Sequence, residues 1–443
     1  MAQVAVIGAG LGGLPAAYEL RHLLSPEHQV TLISDQSEFT FIPGLISVAL
    51  NLKPLDHVQL KLDQLCQKHH IHWVPGKVTA LNPHQKQITV EGNNTVKYDY
   101  AVIATGAALA FNEVAGLGPH EGYTQSVCTP EHALTARKAW LKFLKNPGPI
   151  VVGAMPGTGC FAPAYEFILM ADWELRRRGL RDRVSLTYVT PEPYAGHLGV
   201  GNVKNAKELT QALMQERDIE IIENSAIVAF QPDFVQLAEG RQLPFKYSMV
   251  LPAFRGVKFL RETPGFTNSK GFISTLPTGQ HCEYDSIYAL GVSVHLEQPD
   301  KTPIPIESPK SGQMTEAMAT AVAHNIAVKL GSIQSPLMIP TLEALCFAEF
   351  GNTGIAYIAA PVLPDPKTGK RRYSYAVRGR WVKWVKIAFE EYFMTKMRWG
   401  VGMPWFEKLG LKILFGLSLL KPVSLLQNNN QNIINRQSQE KTT

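Results

Sequence analysis

Short apolar runs that end in glycine-rich turns, each followed by a stretch of helical spacing, set the rhythm of the first 190 residues. Val4-Ala5-Val6-Ile7 has no polar position and reads as a strand buried on both faces. It enters Gly8-Ala9-Gly10-Leu11-Gly12-Gly13, after which Leu14 to Leu20 continues as a helix. The next apolar run, Val30-Thr31-Leu32-Ile33, closes on Ser34-Asp35, roughly 20 residues past the last glycine, where a ribose hydroxyl finds its acidic partner in a dinucleotide site. Further strands are predicted at Ile71–Val74, near Ile88 and Val96, and over Tyr98–Ile103, which runs into the tight turn Ala104-Thr105-Gly106. The unit then repeats. Ile150-Val151-Val152 feeds Gly153-Ala154-Met155-Pro156-Gly157-Thr158-Gly159-Cys160-Phe161 and a helix from Pro163-Ala164-Tyr165-Glu166.

Past this second unit, Ser286 to Val292 reads as a strand returning the chain to the first, and Pro309-Lys310-Ser311-Gly312 caps a helix through Ala317, Ala321 and Ile326. A hairpin follows, Glu343–Ala348 and Ile355–Ala360 around Gly351-Asn352-Thr353-Gly354. The fold class is therefore α/β, with two Rossmann-like dinucleotide-binding domains and an amphipathic C-terminal region suited to a membrane interface. The expected division is a discontinuous first domain at 1–112 and 266–332, a second at 113–265, a C-terminal region at 333–426 and a disordered Asn/Gln-rich tail at 427–443. Residues 378–426 hold four of the seven tryptophans, and their most apolar piece, the eight residues from Ile413 to Leu420, is too short to span a bilayer and is expected to lie in its interface.

Composition adds little until it is divided. A chain of 443 residues, 45% hydrophobic and 18% charged, can bury large cores. Its charge of +6 is concentrated between Lys367 and Lys421, where thirteen Lys/Arg face only Glu390, Glu391 and Glu407. The apolar neighbours of that patch favour an anionic membrane surface over nucleic acid, and no nucleic-acid partner is expected. No cleavable signal peptide is visible ahead of the first strand, so the expected location is peripheral on a membrane. The five cysteines, Cys66, Cys128, Cys160, Cys282 and Cys346, lack any C-x-x-C pair, so neither a metal site nor a secreted disulfide framework is expected.

Cys160 sits where the second glycine turn opens its helix. The positive end of a helix there lowers a thiol pKa and favours thiolate, although a lone thiol is as readily a small packing hydrophobe. The strand after it, Leu186-Thr187-Tyr188-Val189-Thr190, has no immediate acidic ribose partner.

In this order, a nucleotide turn, an Ala-Thr-Gly turn and a second glycine turn resemble the flavoprotein disulfide reductase superfamily over about residues 1–330. Cys128, Cys160 and Cys346 in that frame, with Ser126-Val127-Cys128-Thr129, Pro193-Tyr194-Ala195-Gly196-His197-Leu198-Gly199, Cys346-Phe347-Ala348 and Gly379-Arg380-Trp381-Val382, are more specifically similar to the sulfide:quinone oxidoreductases. The resemblance implies FAD, with Gly8, Gly10, Gly12, Gly13, Ser34, Asp35, Ile42, Thr105, Gly106, Gly291, Lys310, Gly312 and Lys386 as its contacts. Val292 stands where superfamily members usually carry Asp. The implied redox pair is Cys160 and Cys346: hydrosulfide opens their disulfide, leaving a persulfide and a thiolate whose electron pair passes to FAD. Cys128 would handle further sulfur, His132, His197 and Glu166 would move protons, and Phe347, Phe389 and Phe406 would line a quinone slot. Cys66 and Cys282 read as inert. The implied partners are sulfide, quinone and the lipid surface, with a homo-oligomer left open. Two relatives share much of the frame, the type II NADH:quinone oxidoreductases and the flavocytochrome-type sulfide dehydrogenases, and a non-catalytic flavin-binding protein is a third reading.

Overall fold

A computed structural model describes residues 1–365 and 367–423; the tail expected at 427–443 lies outside the described residues. The apolar runs become parallel strands, the inner ones covered on both faces. These are β1 (Gln3–Ile7), β2 (Gln29–Ser34), β3 (His72–Pro75) and β4 (Tyr100–Ile103), with α1 (Gly13–Leu23) as the first crossover. After α2 (Pro130–Phe143) the pattern recurs with β5 (Ile150–Ala154), α3 (Ala162–Arg177), β6 (Leu186–Val189), β7 (Ile219–Ile222) and β8 (Tyr247–Leu251). This second sheet is four-stranded and parallel in the order β7-β6-β5-β8. The chain then returns: β9 (Ile287–Ala289) pairs in parallel with β4 and completes the first sheet as β9-β4-β1-β2-β3. Three-stranded antiparallel meanders, at residues 78–97 and 227–244, accompany the two sheets.

Helix α4 (Gly312–Lys329) is buried almost all round, as its run of Ala, Met, Val and Ile dictates. It starts at Ser311, whose hydroxyl accepts from the Met314 N–H at 3.2 Å. It packs on α1, and Gly12 permits that approach: a Cβ there would stand 2.3 Å from the Leu290 side chain and 2.6 Å from that of Thr315.

The C-terminal region is a three-stranded antiparallel sheet, β10 (Ala344–Glu349), β11 (Gly354–Ala360) and β12 (Tyr373–Arg378), followed by α5 (Arg380–Trp399) and α6 (Trp405–Phe415). The apolar piece 413–420 is not one interfacial segment. Ile413 and Leu414 are exposed on α6, but Gly416 turns the chain in the left-handed region and Leu417 and Leu419 enter a core with Ala317, Leu345 and Ile358. Leu420–Pro422 then pairs with Met338–Pro340. The left-handed turn at Gly416 thus separates residues that a plain hydropathy run groups together.

Candidate active site

The first glycine turn has the shape of a phosphate cradle. Gly8 adopts φ +100°, and a Cβ on it would lie 2.4 Å from the Ala104 carbonyl oxygen; one on Gly13 would lie 1.7 Å from that of Gly8. A Cβ on Gly10 would instead point into open space, and Gly12, which caps α1, brings no side chain to its own N-terminus. Backbone can therefore meet an anion there directly, and the residues present fit the pyrophosphate of a dinucleotide. Ser34 ends β2 buried, with Asp35 exposed just beyond it. Gly106, at φ +68°, leaves another open stretch of backbone after β4. Gly291 packs on Thr315, Gly312 begins α4, and Ile42 is exposed. Lys310 is buried over the Phe272 ring at 5.3 Å, where desolvation brings its ammonium down to about 8, with Glu307 opposing the shift.

The second glycine turn is occupied by protein. The Phe254 ring lies on Gly159, 2.5 Å from where a Cβ would be, and the Arg255 guanidinium lies 3.3 Å from that point on Gly157. An acid does follow β6, at Glu192, but it is fully buried. Tyr165 Oη donates to its carboxylate at 2.6 Å, Thr190 Oγ1 at 2.7 Å and the Leu198 N–H at 2.5 Å. No part of it is free to meet a ribose.

What gathers at this turn is sulfur. Cys160 precedes α3, Cys346 lies in β10, which α3 packs against, and Cys128 precedes the Thr129 cap of α2. All five cysteines are thiols. Cys128, Cys160 and Cys346 each keep part of their surface open, yet the protein around them dominates their ionisation. Burial pushes Cys160 up to about 11 and Cys346 up to about 12. The Ala162 N–H opposes this at Cys160 and Lys386 opposes it at Cys346, while Glu166 and the other thiols add to it. The helix terminus was expected to lower Cys160; desolvation outweighs one N–H contact.

Glu166, on α3, faces the same pair. It is buried and bonded to Lys386 of α5. Burial outweighs the lysine and holds it up at about 7, with Glu349 and Glu390 adding to the shift. Glu349 ends β10 within 3.9 Å of Lys383, and Glu390 is bonded to Lys53. Lysines and glutamates thus alternate beside the thiols.

The histidines have other company. His132, on the first turn of α2, packs edge-on to Phe111 at 5.4 Å and beside His120 at 5.4 Å, with its Nδ1 buried and unpartnered. His197 is buried with Nε2 3.3 Å from an Asp300 carboxylate oxygen and its ring on Tyr194. Desolvation lowers both below the usual imidazole value.

The three phenylalanines form two sets. Phe347 meets Trp381 and Phe415, whereas Phe389 and Phe406 both flank Tyr392, at 6.5 and 6.3 Å. Sequence reasoning missed Glu192 and the carboxylates that hold Lys396. Nothing in local pattern marks a glutamate three residues past a strand as buried, and Tyr165, Tyr188 and Tyr357 come together around it only in the fold.

Residues 2–321 match the family model described as pyridine nucleotide-disulphide oxidoreductase. The chain is 37% identical over 423 residues to a sulfide-quinone reductase of Aquifex aeolicus, covering 93% of this chain and 94% of that one. A mitochondrial sulfide:quinone oxidoreductase of Dictyostelium discoideum is 23% identical, over 66% of each. The X-ray structure of the sulfide:quinone oxidoreductase from Aquifex aeolicus superposes with a TM-score of 0.90 at 36% identity, covering 96% of this chain and 98% of that one. An NDH2 structure from Plasmodium falciparum shares the fold at a TM-score of 0.64 and 16% identity, covering 94% and 99%.

Proposed function

The chain belongs to the sulfide:quinone oxidoreductases of the pyridine nucleotide-disulphide oxidoreductase family, and from that premise we propose that Cys160 and Cys346 are its redox pair, oxidising sulfide to sulfane sulfur while electrons pass by way of FAD to a membrane quinone. The observation that carries the assignment of roles is the second glycine turn. Phe254 covers the glycine backbone that would hold a second dinucleotide, and three thiols converge beside it.

FAD would rest on Gly8, Gly10, Gly12 and Gly13, with Asp35 for its ribose, Thr105 and Gly106 along its length, and Lys310 and the start of α4 near its ring. When bound it supplies a two-electron acceptor for sulfur and a donor for quinone. The chain's own part begins with a Cys160–Cys346 disulfide. Hydrosulfide attacks one sulfur; the S–S bond breaks, its electron pair leaves on the other cysteine as thiolate, and the attacked sulfur becomes a persulfide. Lys386 stabilises negative charge near Cys346, and Glu166, close to neutrality in pKa, takes or returns the proton that the sulfur sheds. Cys128 would accept further sulfur. His132 and His197 would serve proton traffic at greater remove. The 1–112/266–332 and 113–265 units would act as the FAD half and the sulfur half.

Anaerobic addition of sulfide to the flavoprotein should bleach the flavin band rapidly, and NADH should not. Rapid bleaching by NADH would hand the assignment to the type II NADH:quinone oxidoreductases. The acid–base role has its own readout. The rate of sulfide-driven bleaching, expressed per concentration of hydrosulfide so that the ionisation of hydrogen sulfide itself drops out, should change with pH through an inflection near the Glu166 value of about 7. Glu166→Gln should remove that inflection. Lys386→Met takes away the charge that lowers Glu166, so the inflection should move to higher pH. An inflection that stays put in both variants would exclude Glu166 from the proton path.

Exposed aromatic and aliphatic side chains on α5 and α6 support docking on a lipid surface. No helix among the described residues is long and apolar enough to cross a membrane.

A further inference from the structure

Behind the outer face of α5 and α6 lies a buried charge cluster that the sulfur chemistry leaves unused. Lys396 of α5 bonds Glu316 of α4 and, at 2.8 Å, Glu407 of α6; the Tyr392 hydroxyl donates to that same Glu407 oxygen at 2.7 Å. Glu316 is fully buried, and Lys396 and Glu407 nearly so. Yet Oε2 of Glu316 and Oε1 of Glu407 have no hydrogen-bond partner. Two carboxylates share one ammonium, and a further acid, Glu19 of α1, faces Glu316 while accepting from the Met403 N–H. The Lys396 ammonium also lies 4.7 Å from the Phe393 ring centre and 5.4 Å from that of Tyr392.

A desolvated carboxylate with one oxygen lacking a hydrogen-bond donor and a like charge beside it takes up a proton rather than stay ionised. Burial accordingly lifts Glu316 to about 8, Lys396 pulling the other way and Glu407 adding. The cluster therefore holds an exchangeable proton at neutral pH. Its outward end is placed with purpose: Tyr392 stands between Phe389 and Phe406, and Glu407 follows Phe406 on the first turn of α6.

We propose that Glu316, Lys396 and Glu407 form the proton store for quinone reduction, with Glu407 and the Tyr392 hydroxyl as its outlet to the quinone. The proposal rests on the reading that the quinone binds against Phe389 and Phe406. A quinone that receives two electrons from the sulfide half-reaction must also gain two protons, one on each carbonyl oxygen, to leave as quinol. At a site that faces lipid, buried protein groups are the nearest source of those protons. The cluster delivers a proton, its carboxylate is left paired with Lys396, and water at the exposed edge of α6 restores the acid before the next delivery.

The experiment uses full-length, FAD-loaded Glu407→Gln and Tyr392→Phe, substitutions that keep shape and remove one proton-carrying group. Sulfide-driven flavin bleaching should stay at the wild-type rate, while reoxidation by a soluble quinone analogue slows at least about 10-fold in Glu407→Gln. Wild-type reoxidation should fall as pH rises past the value at which the store empties. With Glu407 neutral, Glu316 loses its like-charged neighbour and ionises earlier, so in the variant that fall should move to lower pH. Infrared difference spectra of the resting enzymes give a readout independent of turnover: wild type minus Glu407→Gln should show one buried protonated-carboxyl band near neutral pH, the contributions of the other raised carboxyls, Glu166 and Glu192, cancelling between the two. Wild-type reoxidation in both variants overturns the proposal, as does slow reoxidation with that difference band absent. Phe389→Ala and Phe406→Ala separate the two readings. If they leave the KM for quinone unchanged, the quinone location is wrong; if they raise it while Glu407→Gln is silent, only the proton store fails.

Discussion

Cys160→Ser and Cys346→Ser should each lose sulfide-driven bleaching of the flavin by at least about 10³-fold, because a disulfide cannot be opened or re-formed with one sulfur missing. The flavin itself should stay bound, since the cradle at Gly8 to Gly13 belongs to the other sheet and touches neither cysteine. Cys128→Ser should fall in between, slowing turnover without abolishing the first bleaching event. Cys282→Ser should be silent: it is exposed and no redox cysteine raises its pKa. The raised thiols sharpen the expectation. With Cys160 near 11 and Cys346 near 12, neither is a thiolate at neutral pH when reduced, so the resting pair cannot itself be the nucleophile. The attacking species has to be hydrosulfide, arriving at an oxidised pair. Single-turnover stopped flow at the flavin band measures this directly, and a wild-type rate in either serine variant would end the disulfide mechanism.

The first parallel sheet and the opening strands of the second were legible because their runs are short, mostly apolar and punctuated by glycine, whereas Ile219–Ile222, with Glu220 inside it, and Tyr247–Leu251 lack that punctuation and were not legible. The cradle at Gly8 to Gly13 was legible for the same reason, since each glycine answers to a clash or an opening that a Cβ would spoil. The sulfur site was only half legible. Cys160 announces itself at the end of a glycine turn, but its neighbour Cys346 arrives from a strand far along the chain, and no spacing rule encodes a contact made by tertiary packing. Its ionisation was misjudged because a helix terminus is visible in sequence and desolvation is not. Glu192 and the Lys396 cluster were illegible altogether: a buried carboxylate looks like any surface glutamate until the tyrosine, threonine and backbone groups that hold it are known. The same limit explains the segment 413–420, where apolar content was clear but the left-handed turn at Gly416 divided it between outside and core.

That division makes the membrane prediction specific to a few side chains. Trp384, Trp405, Ile413 and Leu414 are 67, 73, 71 and 74% exposed, and on α6 Trp405, Leu409 and Ile413 recur every fourth residue along one outward line. Such a helix presents an apolar edge with Lys412 beside it, the arrangement of an interfacial rather than a spanning element. Leu417 and Leu419, by contrast, hold the region together and should be left alone. Replacing the four exposed residues with serine should leave the fold and sulfide-driven bleaching intact. If each contributes about 1 kcal/mol of insertion, part of what full burial would give, the loss is about 4 kcal/mol, or about 10³-fold in vesicle binding. The basic side chains of α5 and α6 add a weaker, salt-sensitive attraction, so residual binding should favour anionic over zwitterionic vesicles and fade as ionic strength rises. Reoxidation by a short-chain soluble quinone should survive in the quadruple variant, whereas reoxidation by a long-chain quinone embedded in vesicles should collapse, since that substrate never leaves the bilayer. Co-sedimentation with vesicles and the two reoxidation rates test the three statements together; a variant that still pellets like the wild type would show that this edge of the molecule does not dock on lipid.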